Sequence, residues 1–148
     1  MLVAAALTST GAASGSGNVA PCSARKLEPR VDTNGASGRI YVYAILWNTS
    51  GHPCTAGGRM VASLRDAKTR RLLRIVGNPH AKSIHARLRP GRNNVFTLEW
   101  ENYCGPGRPM LFEVRFGTRR DVERSGYPGA RCESASAPSR LRLFKLPR

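Results

Sequence analysis

The four cysteines are the residues whose chemistry the sequence defines best. They stand at positions 22, 54, 104 and 132, and the chain has no Cys-x-x-Cys or His-x-x-x-His pair. Structural zinc sites usually draw ligands from such close pairs, so this spacing argues against zinc. An even number of cysteines in a small chain is typical of disulfides formed in an oxidising compartment. We therefore expect two disulfides among Cys22, Cys54, Cys104 and Cys132, with three connectivities open, and no metal or other cofactor.

No residue pattern in the chain indicates catalysis. No recognisable base accompanies a cysteine, and the histidines lack a Ser or Cys partner in sequence context. Glu99 and Glu101 are two residues apart and share one face of an expected strand, and paired carboxylates can perform acid–base catalysis. We expect this pair to be exposed charge that faces arginines. The sequence thus predicts a protein that is not an enzyme, and a small secreted hydrolase is the weakest alternative.

Arginine dominates the charge of the chain. The 148 residues include 24 Lys and Arg against 9 Asp and Glu, which gives a formal net charge of +15. Guanidinium groups suit bidentate contacts to phosphate or carboxylate, so a polyanion is a candidate partner. The arginines are dispersed, however, and no run of five or six like charges forms a nucleic-acid-binding arm. Two interpretations stay open: solvated surface charge, or an anion-binding surface made of Arg39, Arg70, Arg71, Arg119, Arg120, Arg140 and Arg142.

The N-terminal segment has features of a secretion signal. A short apolar run from Met1 to Leu7 precedes small residues up to Gly17, although no Lys or Arg comes before it. A disordered N-terminus is the alternative. We expect a leader over residues 1–21 and one exported domain over residues 22–148, with no transmembrane span in the mature chain. An anionic polymer or lipid of the cell envelope is then a better candidate partner than nucleic acid.

Short apolar segments separated by turn residues predict strands. Residues 39–47 are rich in β-branched and aromatic residues, and residues 59–65, 83–88, 94–100, 110–116 and 141–146 have similar patterns. Residues 71–76 are expected to form a hairpin with 59–65. No long window keeps an apolar stripe at helical spacing, so the sequence predicts an all-β antiparallel sandwich of the immunoglobulin-like kind.

Aromatic residues at alternate positions suggest both a core and a second kind of surface. Phe96, Phe112, Phe116, Trp47 and Trp100 are the expected core aromatics. Tyr41, Tyr43 and Trp47 share one face of the strand that begins at Arg39. Aromatics next to arginine can form a stacking platform for bases or sugars. At alternate strand positions they more often pack against the core or the sheet face, and we expect packing here.

The order of these features resembles a known family. The turn Asn48-Thr-Ser-Gly-His-Pro-Cys54 is the most specific part, and Arg89-Pro-Gly91 precedes a strand that ends in Trp100. Together with the spacing of the cysteines, these segments resemble the actinobacterial secreted and lipoprotein family known as domain of unknown function 4232, over about Cys22 to Leu146. The resemblance implies an immunoglobulin-like sandwich and an exported location, and it implies no catalytic residues.

Consecutive pairing of the cysteines suits this arrangement. Cys22 with Cys54 and Cys104 with Cys132 would each tie a terminal segment to a neighbouring turn, and we favour that connectivity. The function that we expect is an exported, non-enzymatic binding or structural domain of the cell envelope. The alternative is a polyanion-binding module that uses the surface arginines.

Overall fold

A computed structural model describes residues 18–144, so residues 1–17 of the expected leader and residues 145–148 lie outside the described residues. A short 3₁₀ turn at Ala24–Lys26 is the one helical element within residues 18–144. No helix in this range is long and apolar enough to cross a membrane. The remaining regular structure consists of strands: β1 (Leu27–Ala36), β2 (Arg39–Asn48), β3 (Cys54–Asp66), β4 (His80–Leu88), β5 (Asn93–Glu101), β6 (Met110–Phe116), β7 (Arg119–Arg124) and β8 (Arg140–Leu143).

The strands form two four-stranded sheets, which we call the first and the second sheet. Their orders are β1-β2-β5-β8 and β4-β3-β6-β7. All neighbouring strands within the sheets are antiparallel. The predicted all-β, immunoglobulin-like antiparallel sandwich with two disulfides is confirmed.

The core lies between the inner faces of the two sheets. In β2 the residues at even positions, from Ile40 to Leu46, are at most 2% exposed, while the odd positions are half-buried on the outer face. Trp100 and Phe112 are fully buried, and Trp100 Nε1 donates a hydrogen bond of 2.9 Å to Ser139 Oγ. Trp47 and Phe116 are only half-buried, because Trp47 lies on the outer face of β2 and Phe116 at the end of β6. Alternation and the position along the strand together decide how deeply each aromatic residue enters the core.

Only the turn end of the hairpin expected between residues 59–65 and 71–76 is formed: Asp66 N donates to Arg71 O at 2.9 Å and Leu73 N to Leu64 O at 3.0 Å, and residues 71–76 form no strand. The antiparallel partner of β3 on that side is β4, and residues 71–76 contact β3 through an isolated bridge between Arg65 and Leu72. The Asn78 side chain explains the difference. It accepts a hydrogen bond from Leu64 N and donates to the carbonyls of Leu64 and Leu73, each at 2.9 Å. These bonds, together with the backbone bonds to Arg71 and Leu73, satisfy the backbone at this end of β3 without a continued strand ladder.

Two strands of the structure have weak signals in the sequence. β1 contains Pro29, Asn34 and Gly35, which disfavour strands, and charged residues fill all but one position of β7. Side chains of β7 hold these two edge strands together. Asp121 Oδ2 accepts from Val31 N at 2.9 Å, and Glu123 Oε1 accepts from Thr33 Oγ1 at 3.1 Å. Tertiary contacts therefore define this edge of the sandwich.

The two disulfides fix the N-terminal segment and one pair of loops. Cys22 is bonded to Cys54 at the start of β3, and Cys104 in the β5–β6 loop is bonded to Cys132 in the β7–β8 loop. Backbone hydrogen bonds from Cys22 N to Thr55 O and from Thr55 N to Ala20 O, both 2.9 Å, continue the first attachment. The cysteines are paired consecutively, and no free cysteine remains among the described residues.

Candidate anion-binding face

The outer faces of the two sheets carry very different charge. Strand register and alternation give the first sheet an outer face with four arginines and four carboxylates: Arg30, Arg39, Arg140, Arg142, Glu28, Asp32, Glu99 and Glu101. The outer face of the second sheet has six arginines and one carboxylate: Arg59, Arg65, Arg87, Arg115, Arg120, Arg124 and Glu113. We call the latter the basic face. The first outer face is balanced in charge, and the second is strongly positive.

On the first sheet, Glu99 is the centre of a compact ion-pair cluster. Arg39 Nη1 lies 2.6 Å from Glu99 Oε1, and Arg142 Nη2 lies 3.1 Å from oxygens of both Glu99 and Glu101. The hydrogen bond to Glu99 is the main reason why the pKa of Arg39 is raised above its ordinary value. Glu99 is only 2% exposed, so our expectation of an exposed carboxylate pair is wrong for Glu99. The two arginines cover this carboxylate, and the cluster is a structural one.

On the second sheet, Glu113 stands among three arginines at longer distances. Glu113 Oε1 lies 3.4 Å from Arg65 Nη2 and 3.4 Å from Arg115 Nε, and Glu113 Oε2 lies 3.7 Å from Arg120 Nη1. These groups line a cleft of about 390 Å³ together with Arg70, Leu111 and Val122. One carboxylate cannot neutralise four guanidinium groups. The cleft, where Arg70 adjoins the basic face, is therefore a region of concentrated positive charge.

A comparison with known protein families identifies the family of this chain. The model of the family described as a domain of unknown function, DUF4232, matches residues 22–115. The chain belongs to this family. The match ends at residue 115, short of the resemblance to about Leu146, and leaves β7 and β8 outside the matched range. No match was found among curated proteins or among solved structures.

The DUF4232 fold divides the seven candidate arginines among several locations. Arg70 and Arg120 line the cleft. Arg39 and Arg142 belong to the Glu99 cluster, and Arg140 is beside them on β8. Arg119 Nη1 donates to Arg25 O at 2.8 Å, and Arg71 is exposed in the turn after β3. The seven do not form one surface.

Sequence reasoning missed most of the basic face. In the structure Met60, Ala62 and Leu64 lie on the inner side of β3, which puts Arg59 and Arg65 on the outer side. The missing information was the pairing of β3 with β6 and of β6 with β7. That pairing places Glu113 between Arg65 on one side and Arg115 and Arg120, directly opposite one another, on the other side. Arg87 joins from β4, and Arg124 joins at the end of β7.

The aromatic residues of β2 pack on the sheet face of the DUF4232 domain. The ring of Tyr41 lies 5.1 Å from that of Phe144, nearly perpendicular to it, and the Arg30 guanidinium lies 5.4 Å from the centre of the Trp47 ring. Both contacts cover ring surface that a stacking platform would leave open. The arrangement agrees with packing against the sheet.

Two further titratable groups have shifted pKa values. Burial raises the pKa of Glu123, which stands near Asp32 and Asp121 where β1 and β7 meet. Burial also lowers the pKa of His80, whose ring lies 6.2 Å from that of Phe96. Within residues 18–144, no group of three or more His, Cys, Asp or Glu side chains is arranged to hold a metal ion.

Proposed function

We propose that this protein works outside the cytoplasm as a non-catalytic binding domain whose basic face contacts an anionic polymer or lipid of the cell envelope. The observation that carries the proposal is the charge of that face, six arginines against one carboxylate among its outward positions. The opposite outer face has equal numbers of positive and negative side chains, so the net positive charge of the two outer faces lies on one side of the domain. A one-sided charge orients a protein toward an anionic surface and accelerates its association.

The exported setting rests on the two disulfides. Both join cysteines far apart in sequence, with separations of 32 and 28 residues, and bonds of this kind persist in oxidising compartments. The leader-like N-terminus supports the same location. An anionic wall polymer or lipid is the polyanion that such a domain meets there.

Salt-dependent binding by matched variants tests the proposal. We compare R59Q/R87Q, which removes two exposed charges from the basic face, with R30Q/R140Q, which removes two exposed charges from the first sheet. The two variants have the same net charge, so a uniform ionic attraction would affect them equally. The measurement is retention on immobilised heparin and on vesicles of anionic phospholipid over a range of salt concentrations.

The expected result is a selective loss with R59Q/R87Q. Each arginine that contacts an anionic group contributes about one unit to the slope of log affinity against log salt. R59Q/R87Q should lower that slope by up to about two, while R30Q/R140Q leaves it close to the wild-type value. Equal slopes for both variants, or no retention of the wild-type protein at low salt, would refute a binding role for the basic face. Recovery of the native protein only from the cytosol, with free thiols, would refute the exported location.

A further inference from the structure

We propose that the cleft lined by Arg65, Arg70, Arg115 and Arg120 binds a single phosphoryl group of the anionic partner. This inference rests on the proposed function and adds the chemical class of the group that is recognised. The cleft is a discrete site at the edge of the basic face, because Arg65, Arg115 and Arg120 of that face and Arg70 of the turn after β3 line one concave surface. The other arginines of the face lie on strand positions outside it.

The first observation is an excess of donors around Glu113. Its carboxylate is shared by Arg65, Arg115 and Arg120 at 3.4 to 3.7 Å, and charge-assisted hydrogen bonds usually measure about 2.7 to 2.9 Å. The cluster around Glu99 is close to neutral in the same protein: it has two carboxylates for two arginines, and each arginine has a contact of 2.6 or 3.1 Å beside the longer Arg39–Glu101 contact of 3.9 Å. The guanidinium groups of the cleft therefore keep donor capacity for another oxyanion.

The second observation concerns Arg65. Its Nη1 donates to Arg70 O at 3.0 Å, and its Nη2 lies 3.4 Å from Glu113 Oε1, so two of its three nitrogens are held in place. Its Nε is buried and has no hydrogen-bond acceptor among the described residues. A buried donor on a charged group is costly to leave unpaired. Arg65 lines the cleft, so an oxyanion bound there is the proposed acceptor for this donor once the guanidinium group turns toward it.

The third observation is that the rim of the cleft is preorganised. Asp66 Oδ1 accepts from Lys68 N at 2.9 Å and from Thr69 N at 2.8 Å, and Asp66 O accepts from Arg70 N at 2.9 Å. These bonds hold Arg70 in a left-handed backbone conformation, with φ of 61°. The Arg70 carbonyl that orients Arg65 is thus fixed before any ligand arrives. Preorganised donors lose less entropy when they bind.

Charge and shape together point to a phosphoryl group. Four arginines and one glutamate leave an excess of three positive charges, which favours a dianion over a carboxylate. Guanidinium forks match the oxygen geometry of phosphate. The cleft of about 390 Å³ also includes the apolar side chains Leu111 and Val122, so it has room for the group to which the phosphate is attached. An inorganic ion, a phosphorylated polymer and a lipid headgroup all share this chemistry.

The test titrates the ¹⁵N-labelled full chain with inorganic phosphate, and with chloride at equal ionic strength, and observes the arginine Nε–H resonances. We expect a saturable downfield shift of the Arg65 Nε–H with phosphate and none with chloride. R65K keeps the charge but loses the planar fork, and R120K does the same at an exposed side chain whose replacement does not endanger folding. Each should weaken phosphate binding about tenfold, equivalent to about 1.4 kcal/mol. R59K, a matched change elsewhere on the basic face, should leave it unchanged.

The controls separate this inference from the proposed function. If R65K and R120K bind phosphate as tightly as R59K does, the cleft is not the site, although retention on heparin can still support the basic face. If the wild-type protein binds neither phosphate nor heparin, both proposals fail. Two further arms, soluble polyphosphate and vesicles that contain a phosphomonoester lipid, identify the source of the phosphoryl group. The source in which R65K loses most affinity is the one that the cleft recognises.

Discussion

Removal of either disulfide should lower the stability of the domain by nearly the same amount. The bonds enclose loops of similar length, with separations of 32 residues for Cys22–Cys54 and 28 residues for Cys104–Cys132. The chain-entropy relation gives about 3.7 and about 3.6 kcal/mol for loops of these lengths. For a domain of about 125 residues, each loss corresponds to a fall in Tm of about 10–15 °C.

The two bonds should differ in how fast a reductant reaches them. Cys104 and Cys132 are both exposed, whereas Cys54 is only 7% exposed and is paired with Leu88 across β3 and β4. Mild reductant should therefore break Cys104–Cys132 first. This order follows from access alone, because thiol–disulfide exchange requires direct attack on a sulfur atom.

The assay combines stability measurements with mapping of the thiols. C22A/C54A and C104A/C132A are unfolded by heat and by urea, and the wild-type protein is treated with increasing reductant, alkylated and digested. The expected intermediate has labelled Cys104 and Cys132 and an intact Cys22–Cys54 bond. Earlier labelling of Cys22 and Cys54, or a stability difference between the two variants well above 1 kcal/mol, would contradict this reasoning. A peptide that links Cys54 to Cys104 would contradict the connectivity itself.

Three further substitutions test other parts of the structure. E99Q should destabilise the domain by about 1–3 kcal/mol in urea unfolding, because it removes a buried carboxylate that accepts charge-assisted hydrogen bonds; a loss below about 0.5 kcal/mol would refute its structural role. E123Q should stabilise it at pH 7 by a few tenths of a kcal/mol after screening by water. Because the pKa of Glu123 is raised in the folded protein, the wild-type domain loses stability as pH rises from the pKa of the unfolded state through that of the folded state. The gain from E123Q should therefore vanish near pH 3, where Glu123 is protonated in both states. N102A should cost about 2–4 kcal/mol and expose residues 133–137 to limited proteolysis, because Asn102 makes four hydrogen bonds to that loop; unchanged proteolysis would contradict this role.

The strands that alternation could identify were those with one apolar face. β2, β5 and β6 each place apolar residues at every second position, and burial of one face is enough to define the strand. Alternation fails to identify β1 and β7, because the strand propensity of their residues is low. Contacts between these two edge strands stabilise them instead. Alternation also fails for residues 71–76, because their alternating pattern says nothing about the competing Asn78 side chain. Alternation along the sequence shows which residues of a strand are buried. Which strands pair depends on contacts between distant parts of the chain.

The candidate site was less predictable than the fold for the same reason. Sequence neighbours such as Arg119 and Arg120 lie on opposite sides of β7, so a pair of adjacent arginines is divided by the strand itself. Arg65, Arg115 and Arg120 are distant in sequence and meet only because β3 pairs with β6 and β6 pairs with β7. The net charge could be read from composition, but its separation into a balanced face and a basic face required the register.

Glu113 explains how such a concentration of positive charge is compatible with a folded domain. Guanidinium groups that line one cleft repel each other, and water relieves only part of this repulsion for the half-buried Arg65. A single buried carboxylate in contact with Arg65, Arg115 and Arg120 attracts all three, so the cluster is stable without a ligand. A second carboxylate, as at Glu99 and Glu101, would lower the excess of the three arginines in contact with Glu113 from two positive charges to one and weaken the attraction of the cluster for anions. The Glu113 cluster thus has enough negative charge to keep the fold stable and too little to neutralise its arginines. This combination distinguishes the cleft from the rest of the arginine-rich surface.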